Sequence, residues 1–296
     1  MDLKEPKTFA ELVSRLKEHH MEVEDELFAE QFLRKVNYYR FTGYALQFRV
    51  APHDSDYIKG TTFETVVQIY DFDTELRNLL KKWIEVLEVY YRAQIANAFS
   101  LAKCKKPPHN QHYDFSNYYN KKGAEEIFDD FKKQKKYYKD TLVLQHHQVK
   151  YGDYYPLWVI VEMISLSDLS KLYSCMYNSN QDEIANHVGT GRSVLKNHLH
   201  CLSVLRNKCA HAARLYNTEL KPSAQLPPNF LRNNLSVKSN SLFAYIFVVM
   251  WRLPEETMKD SLICELRSII QKYEDSINLS VMGFPEKYDQ ILTDNK

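Results

Sequence analysis

The chain has 296 residues, and its 39 Lys and Arg stand against 38 Asp and Glu for a net charge of +1. It is long enough to bury a large core, as one large domain or two small ones, and its neutral balance excludes a globally basic nucleic-acid binder, so any such site has to be a local basic patch. Only 7 glycines and 10 prolines interrupt it, which favours helices over a turn-rich all-β fold.

Thr8 with Glu11 has the form of a capping box, and Phe9, Leu12, Val13 and Leu16 follow at helical spacing. A second helix is expected from Val23 to Val36, with Phe28, Phe32 and Leu33 on its inner side. It leads into Asn37-Tyr38-Tyr39-Arg40-Phe41-Thr42-Gly43-Tyr44. That stretch reads first as an aromatic packing corner, and second as a wall on which Arg40 and the tyrosines meet unpaired bases. After a turn-rich break from Ala51 to Gly60, a long helix runs from Thr62 to about Leu101. Glu88 and Arg92 form an i,i+4 pair on it in the favourable orientation.

Residues 104–122 carry Pro107-Pro108 and an aromatic-polar run, and read as a long loop or excursion. Gly123 to Tyr151 reads as a polar helix in which Lys132, Lys133, Lys135, Lys136 and Lys139 crowd together. Such a run is either a solvated face or a phosphate-contacting patch, and Glu125, Glu126, Asp129 and Asp130 just upstream leave both readings open. Tyr155-Pro156-Leu157-Trp158 opens a mostly buried helix to about Tyr177. Gln181 to His187 forms a short helix, Ser241 to Leu253 a buried one, and Asp260 to Ile277 an amphipathic one, and residues 281–296 form a tail docked by Phe284.

Between these elements, Arg192 to Asn217 reads as one helix whose apolar face is Leu195, Leu199, Leu202, Cys209 and Ala213. Arg206 falls near the middle of that stripe. A guanidinium keeps its charge and is seldom buried alone. Either a carboxylate meets it, with Glu88 one candidate, or the stripe opens onto a groove that takes an external anion. On a continuous helix, His211 is about 140° around from Arg206, so the two converge only if the helix bends or if two copies of the segment meet in a dimer.

Arg206-Asn207-Lys208-Cys209-Ala210-His211 resembles the R-x4-6-H motif of HEPN domains, which are helical RNA-cleaving modules. Ala212 to Asn217, Asn37 to Tyr44, Asp73-Thr74-Glu75-Leu76-Arg77, Glu88 with Arg92, Tyr155 to Trp158, and Met282 to Pro285 extend the likeness to the abortive infection (Abi) family, in its AbiD/AbiF-like branch. The resemblance implies an all-α, HEPN-like helical bundle with additional N-terminal and C-terminal helices, forming a single domain over residues 1–296. It also implies phage defence by a ribonuclease that cuts single-stranded RNA, and a homodimer with a composite site. Its relation to RNA-guided effectors adds a small regulatory RNA to the expected partners.

The residues suit that chemistry. The 2′-OH of RNA can attack its own phosphate without a metal. An imidazole serves as base or acid, and an arginine holds the phosphate in bidentate fashion. Arg206, Asn207 and His211 are therefore the expected catalytic set, with Asn207 either bonding the phosphate or fixing His211. Arg40, Lys132, Lys133, Lys135 and Lys136 are expected to bind RNA, and Glu88 and Arg92 to support the site. No cofactor or metal is expected. His198-Leu199-His200-Cys201 offers too few ligands for zinc, and no motif for ATP, NAD, serine-hydrolase or zincin chemistry occurs. The alternatives are a non-catalytic RNA-binding module and, more remotely, a protein-interaction module of a toxin system. Five cysteines, odd in number and without C-x-x-C, read as free thiols. Met1 to Lys7 lacks the apolar core of a signal peptide, and the longest apolar run, Leu242 to Trp251, is too short to span a membrane, so a soluble cytoplasmic protein is expected.

Overall fold

The computed structural model describes residues 5–52, 54–152 and 154–296. Met1 to Lys4, part of the stretch read against a signal peptide, lie outside the described residues. Among the described residues there are fourteen α-helices and no strand, as an all-α fold requires. They are α1 (Phe9–Glu18), α2 (Glu26–Lys35), α3 (Tyr38–Ala45), α4 (Phe63–Lys103), α5 (Lys121–Gln134), α6 (Leu142–Tyr151) and α7 (Leu157–Met163). The second half holds α8 (Leu166–Cys175), α9 (Asn178–His187), α10 (Arg192–Ala210), α11 (Pro228–Asn233), α12 (Leu242–Arg252), α13 (Glu256–Lys272) and α14 (Tyr288–Asp294). None is long and apolar enough to cross a membrane.

Helix α4 is the spine. Its 41 residues rise about 60 Å at 1.5 Å each. Thr62 caps its start, accepting the Thr65 amide at 3.0 Å. Phe63, Ile69, Phe72, Leu76, Leu80, Ile84, Leu87, Ile95 and Phe99 are sealed along its length, because α3, α7, α9, α10, α12 and α13 all pack on it. The capping box at α1 forms as the sequence predicts: Thr8 Oγ1 accepts the Glu11 amide at 3.3 Å, and the Glu11 carboxylate accepts the Thr8 amide at 2.7 Å. Residues 104–120 carry two single 3-10 turns, Gln111–Tyr113 and Phe115–Asn117, with His112 and Tyr118 buried. In the tail, Met282, Phe284 and Leu292 are buried. All five cysteines are free thiols, and only Cys264 is exposed.

Three expected helices end earlier or divide. The Tyr155 to Tyr177 helix is two, α7 and α8. Ile164 is extended, and Ser165 starts the second helix by accepting the Asp168 amide at 3.1 Å. A serine that caps competes with helix continuation. Trp158, expected inside, is 57% exposed. The Gly123 to Tyr151 helix is α5, a 3-10 turn at Lys135–Tyr137, and α6. The Arg192 to Asn217 helix stops at Ala210.

Candidate functional site

Where α10 packs on α4, two carboxylate–arginine pairs of α4 face the end of the motif helix. The upper one is Glu88 with Arg92. Glu88 is 7% exposed and accepts Arg92 Nη2 at 2.6 Å. Arg92 also donates to the Ile164 carbonyl at 3.1 Å, which pins the break between α7 and α8. Arg206 Nε stands 3.7 Å from the other Glu88 oxygen. The Arg206 side chain keeps 39% of its surface and borders a cavity of about 250 Å³ together with Lys81 and Arg92. Arg206 therefore does not lie in mid-stripe. Leu205 and Cys209 turn to the core, and Arg206 lies at the edge. Both alternatives hold at once: a carboxylate meets the guanidinium, and the stripe opens beside it.

Asn207 completes this end. Its Oδ1 accepts Arg206 Nη1 at 3.5 Å, and its Nδ2 donates to Ser167 Oγ on α8 at 3.3 Å. The carboxamide thus holds the arginine and α8 and is not used on the His211 ring. Ser167 also lines a larger groove of about 810 Å³ between α5, α8 and α10.

His211 is the C-cap of α10. The chain then turns in a Schellman closure: the Ala212 amide bonds the Cys209 carbonyl at 3.2 Å and the Ala213 amide bonds the Lys208 carbonyl at 2.8 Å. Ala212 sits at φ 51°, where glycine is usual. This closure ends the helix that periodicity alone extends to Asn217. It leaves the His211 imidazole exposed at the tip, with no hydrogen bond or ion pair among the described residues. Arg40 on α3 donates to the Ala212 carbonyl, and Arg214 donates to the Gly43 carbonyl. Arg40 is therefore a neighbour of His211 and clamps the turn behind it.

Below that turn lies the second pair. Asp73 is fully buried and Arg77 is 5% exposed. Asp73 accepts the Arg77 guanidinium, the Tyr44 hydroxyl at 2.6 Å and the amides of Leu215 at 3.1 Å and Tyr216 at 2.8 Å. Burial pushes the Asp73 carboxyl up, and Arg77 and these donors pull it back. Burial and then the Asp73 carboxylate push the Tyr44 hydroxyl up, so it stays a donor. One carboxylate thereby ties α3, α4 and the segment after the motif helix together. The quoted family segment Asp73 to Arg77 contains it, and the direct signal is an acid flanked by Phe72 and Leu76 on an apolar face.

The model of the Abi-like protein family matches residues 31–217, well over half of the chain. The chain belongs to the Abi-like protein family. The matched span runs from α2 to the turn after α10, and so contains Arg40, both acid–arginine pairs, Arg206, Asn207 and His211. Membership of the Abi-like family supports a role in abortive infection, a form of phage defence. No curated protein and no solved structure matches the chain.

Four lysines of the basic run in this Abi-like chain have local partners. Lys132 and Lys133 pair with Asp129 and Asp130 of their own helix, each at 2.9 Å. Lys135 and Lys136 lie over the rings of Tyr155 and Tyr137. His198 is buried, its Nε2–H donating to the Gln225 carbonyl at 2.8 Å. Among the described residues, no group of three or more His, Cys, Asp or Glu is placed to hold a metal ion.

Proposed function

We propose that this Abi-like protein is a HEPN-type endoribonuclease of the AbiD/AbiF-like branch, acting on single-stranded RNA. The observation that carries the reading is the end of α10. A half-exposed arginine is braced by a buried carboxylate beside a small open cavity, and an unpartnered imidazole stands at the tip of the same helix.

The chemistry is a transesterification. The 2′-oxygen bonds to the adjacent phosphorus, the bond from phosphorus to the 5′-oxygen breaks, and a 2′,3′-cyclic phosphate and a 5′-hydroxyl end result. A base takes the 2′-OH proton and an acid gives one to the 5′-oxygen. His211 performs one of these steps and the partner's His211 the other, in a homodimer that brings two helix tips together. Arg206 holds the non-bridging phosphate oxygens and stabilises their added charge. Glu88 and Asn207 fix Arg206, and Arg92 fixes Glu88. Arg40, Lys132, Lys133, Lys135 and Lys136 guide the strand, and a small regulatory RNA is a further partner of the same surface. No step requires a metal.

The test is cleavage of a labelled RNA by wild type and by His211→Ala, with RNA binding measured alongside. Cleavage lost with binding retained supports the nuclease. Binding without cleavage in both proteins favours the rival, a non-catalytic RNA-binding module.

A further inference from the structure

A third concave site lies beside the Asp73 lock, for Tyr44, which donates to Asp73, also lines it. It is a cavity of about 500 Å³ between α1, α3 and the loop after α3, within the usual range for ligand pockets. Arg15, Arg40, Arg49 and Arg214 all line it, and no Asp or Glu does. Among the described residues none of the four forms an ion pair with a carboxylate. Asp56, beside the site, is taken up by His19 at 2.9 Å and His20 at 3.7 Å. Arg49 Nη1 donates to the Asp54 carbonyl at 2.7 Å, while its Nε is buried with no partner at all.

Four guanidinium groups around one hollow repel one another, and in a chain whose 39 Lys and Arg are balanced by 38 Asp and Glu overall, such a cluster without acids is a local excess of positive charge. Each offers up to five donors in a planar fork that matches phosphate oxygens. Arg40 and Arg214 use part of that capacity on the backbone carbonyls of Ala212 and Gly43, which leaves the rest facing the cavity. The other wall is aromatic. Tyr39 is 86% exposed, so its ring adds nothing to the core and is free to stack on a base.

We infer that this pocket binds a nucleotide through a terminal phosphate, with the base against Tyr39. The phosphate belongs either to the 5′ end of an RNA or to a free mononucleotide. A terminal phosphate carries more charge than an internal diester, and four arginines with no carboxylate partner suit the more highly charged group. Because Arg40 and Arg214 reach both the pocket and the turn behind His211, an occupant acts on the position of His211. That coupling rests on the nuclease reading, but the binding itself does not.

The experiment measures the affinity of the full chain for a 3′-fluorescein oligouridine, 2′-O-methylated so that it cannot be cut, carrying either a 5′-phosphate or a 5′-hydroxyl. The expected result is binding at least about tenfold tighter for the 5′-phosphate, and loss of that preference in Arg15→Gln and in Arg49→Gln. Tyr39→Ala, at an exposed position, weakens both probes. ATP and AMP are added as competitors: displacement identifies a free nucleotide as sufficient, and failure to displace identifies the RNA end, and either supports the pocket. Equal affinity for the two probes with no displacement by ATP or AMP overturns the inference. So does a 5′-phosphate preference that persists in Arg15→Gln at an unchanged melting temperature. Cleavage that depends on His211 survives a negative result here, and phosphate-end binding survives a failure to cleave.

Discussion

Asp73–Arg77 and Glu88–Arg92 are both four-residue acid–arginine pairs on α4, yet the first is sealed and the second is open. Asp73 is surrounded by donors from three segments, and Arg77 donates to Asp73, Tyr44 and Thr74. Glu88 has one oxygen on Arg92 and turns the other towards a half-exposed Arg206 across 3.7 Å, beside a cavity. The closed pair holds the segment after the motif helix in place, and the open pair holds a cation towards solvent. Spacing is thus no guide to role. What separates the two is whether every charge is already matched inside the protein.

The contrast can be broken by substitution, ranked by effect on the fold. Asp73→Ala leaves Arg77 buried without its anion, and the expected loss is about 3–5 kcal/mol, read from urea unfolding. A loss below about 1 kcal/mol would show that the pair is not closed. Next is His198, another sealed group. Burial lowers its pKa from 6.5 to about 4. The unfolded chain therefore binds the proton first as pH falls, so stability is full above about 6.5 and declines towards 4. Between pH 7 and pH 5 the decline is about 2 kcal/mol. His198→Gln should remove that part of the pH dependence, and an unchanged slope would rule out this source.

Glu88→Gln keeps a hydrogen bond to Arg92 and should alter stability by about 1 kcal/mol or less. It should also lower RNA cleavage about tenfold by freeing Arg206. If it unfolds the protein as Asp73→Ala does, the distinction between the pairs fails. The smallest change to the fold is a gain: Ala212→Gly relieves the left-handed backbone at φ 51° and should stabilise by about 0.5–1 kcal/mol, visible as a raised melting temperature.

Much of the fold is readable from periodicity and caps. The all-α class, the α4 spine and the Thr8 capping box follow from residue spacing, and Glu88 as a neighbour of Arg206 follows once α4 and α10 are packed together. What periodicity cannot supply is where a helix stops when its end is set by other segments. Ala210 ends α10 because a Schellman turn forms at an alanine and Arg40 holds the Ala212 carbonyl. Ser165 divides an apolar run because a short cap competes locally with helix continuation. The Asp73 lock and the arginine pocket join α1, α3 and the turn after α10, which are far apart in sequence. Their chemistry appears only when the chain is folded.

In the proposed function, the tip of α10 cuts RNA. The most direct measurement is cleavage of an end-labelled single-stranded RNA in EDTA by wild type, Arg206→Ala and His211→Ala. Both positions are solvent-accessible, so the variants should unfold within about 0.5 kcal/mol of wild type. Wild type should leave 2′,3′-cyclic phosphate ends, with cleavage reduced about 100-fold or more in each variant. Equal cleavage by all three proteins would contradict the account.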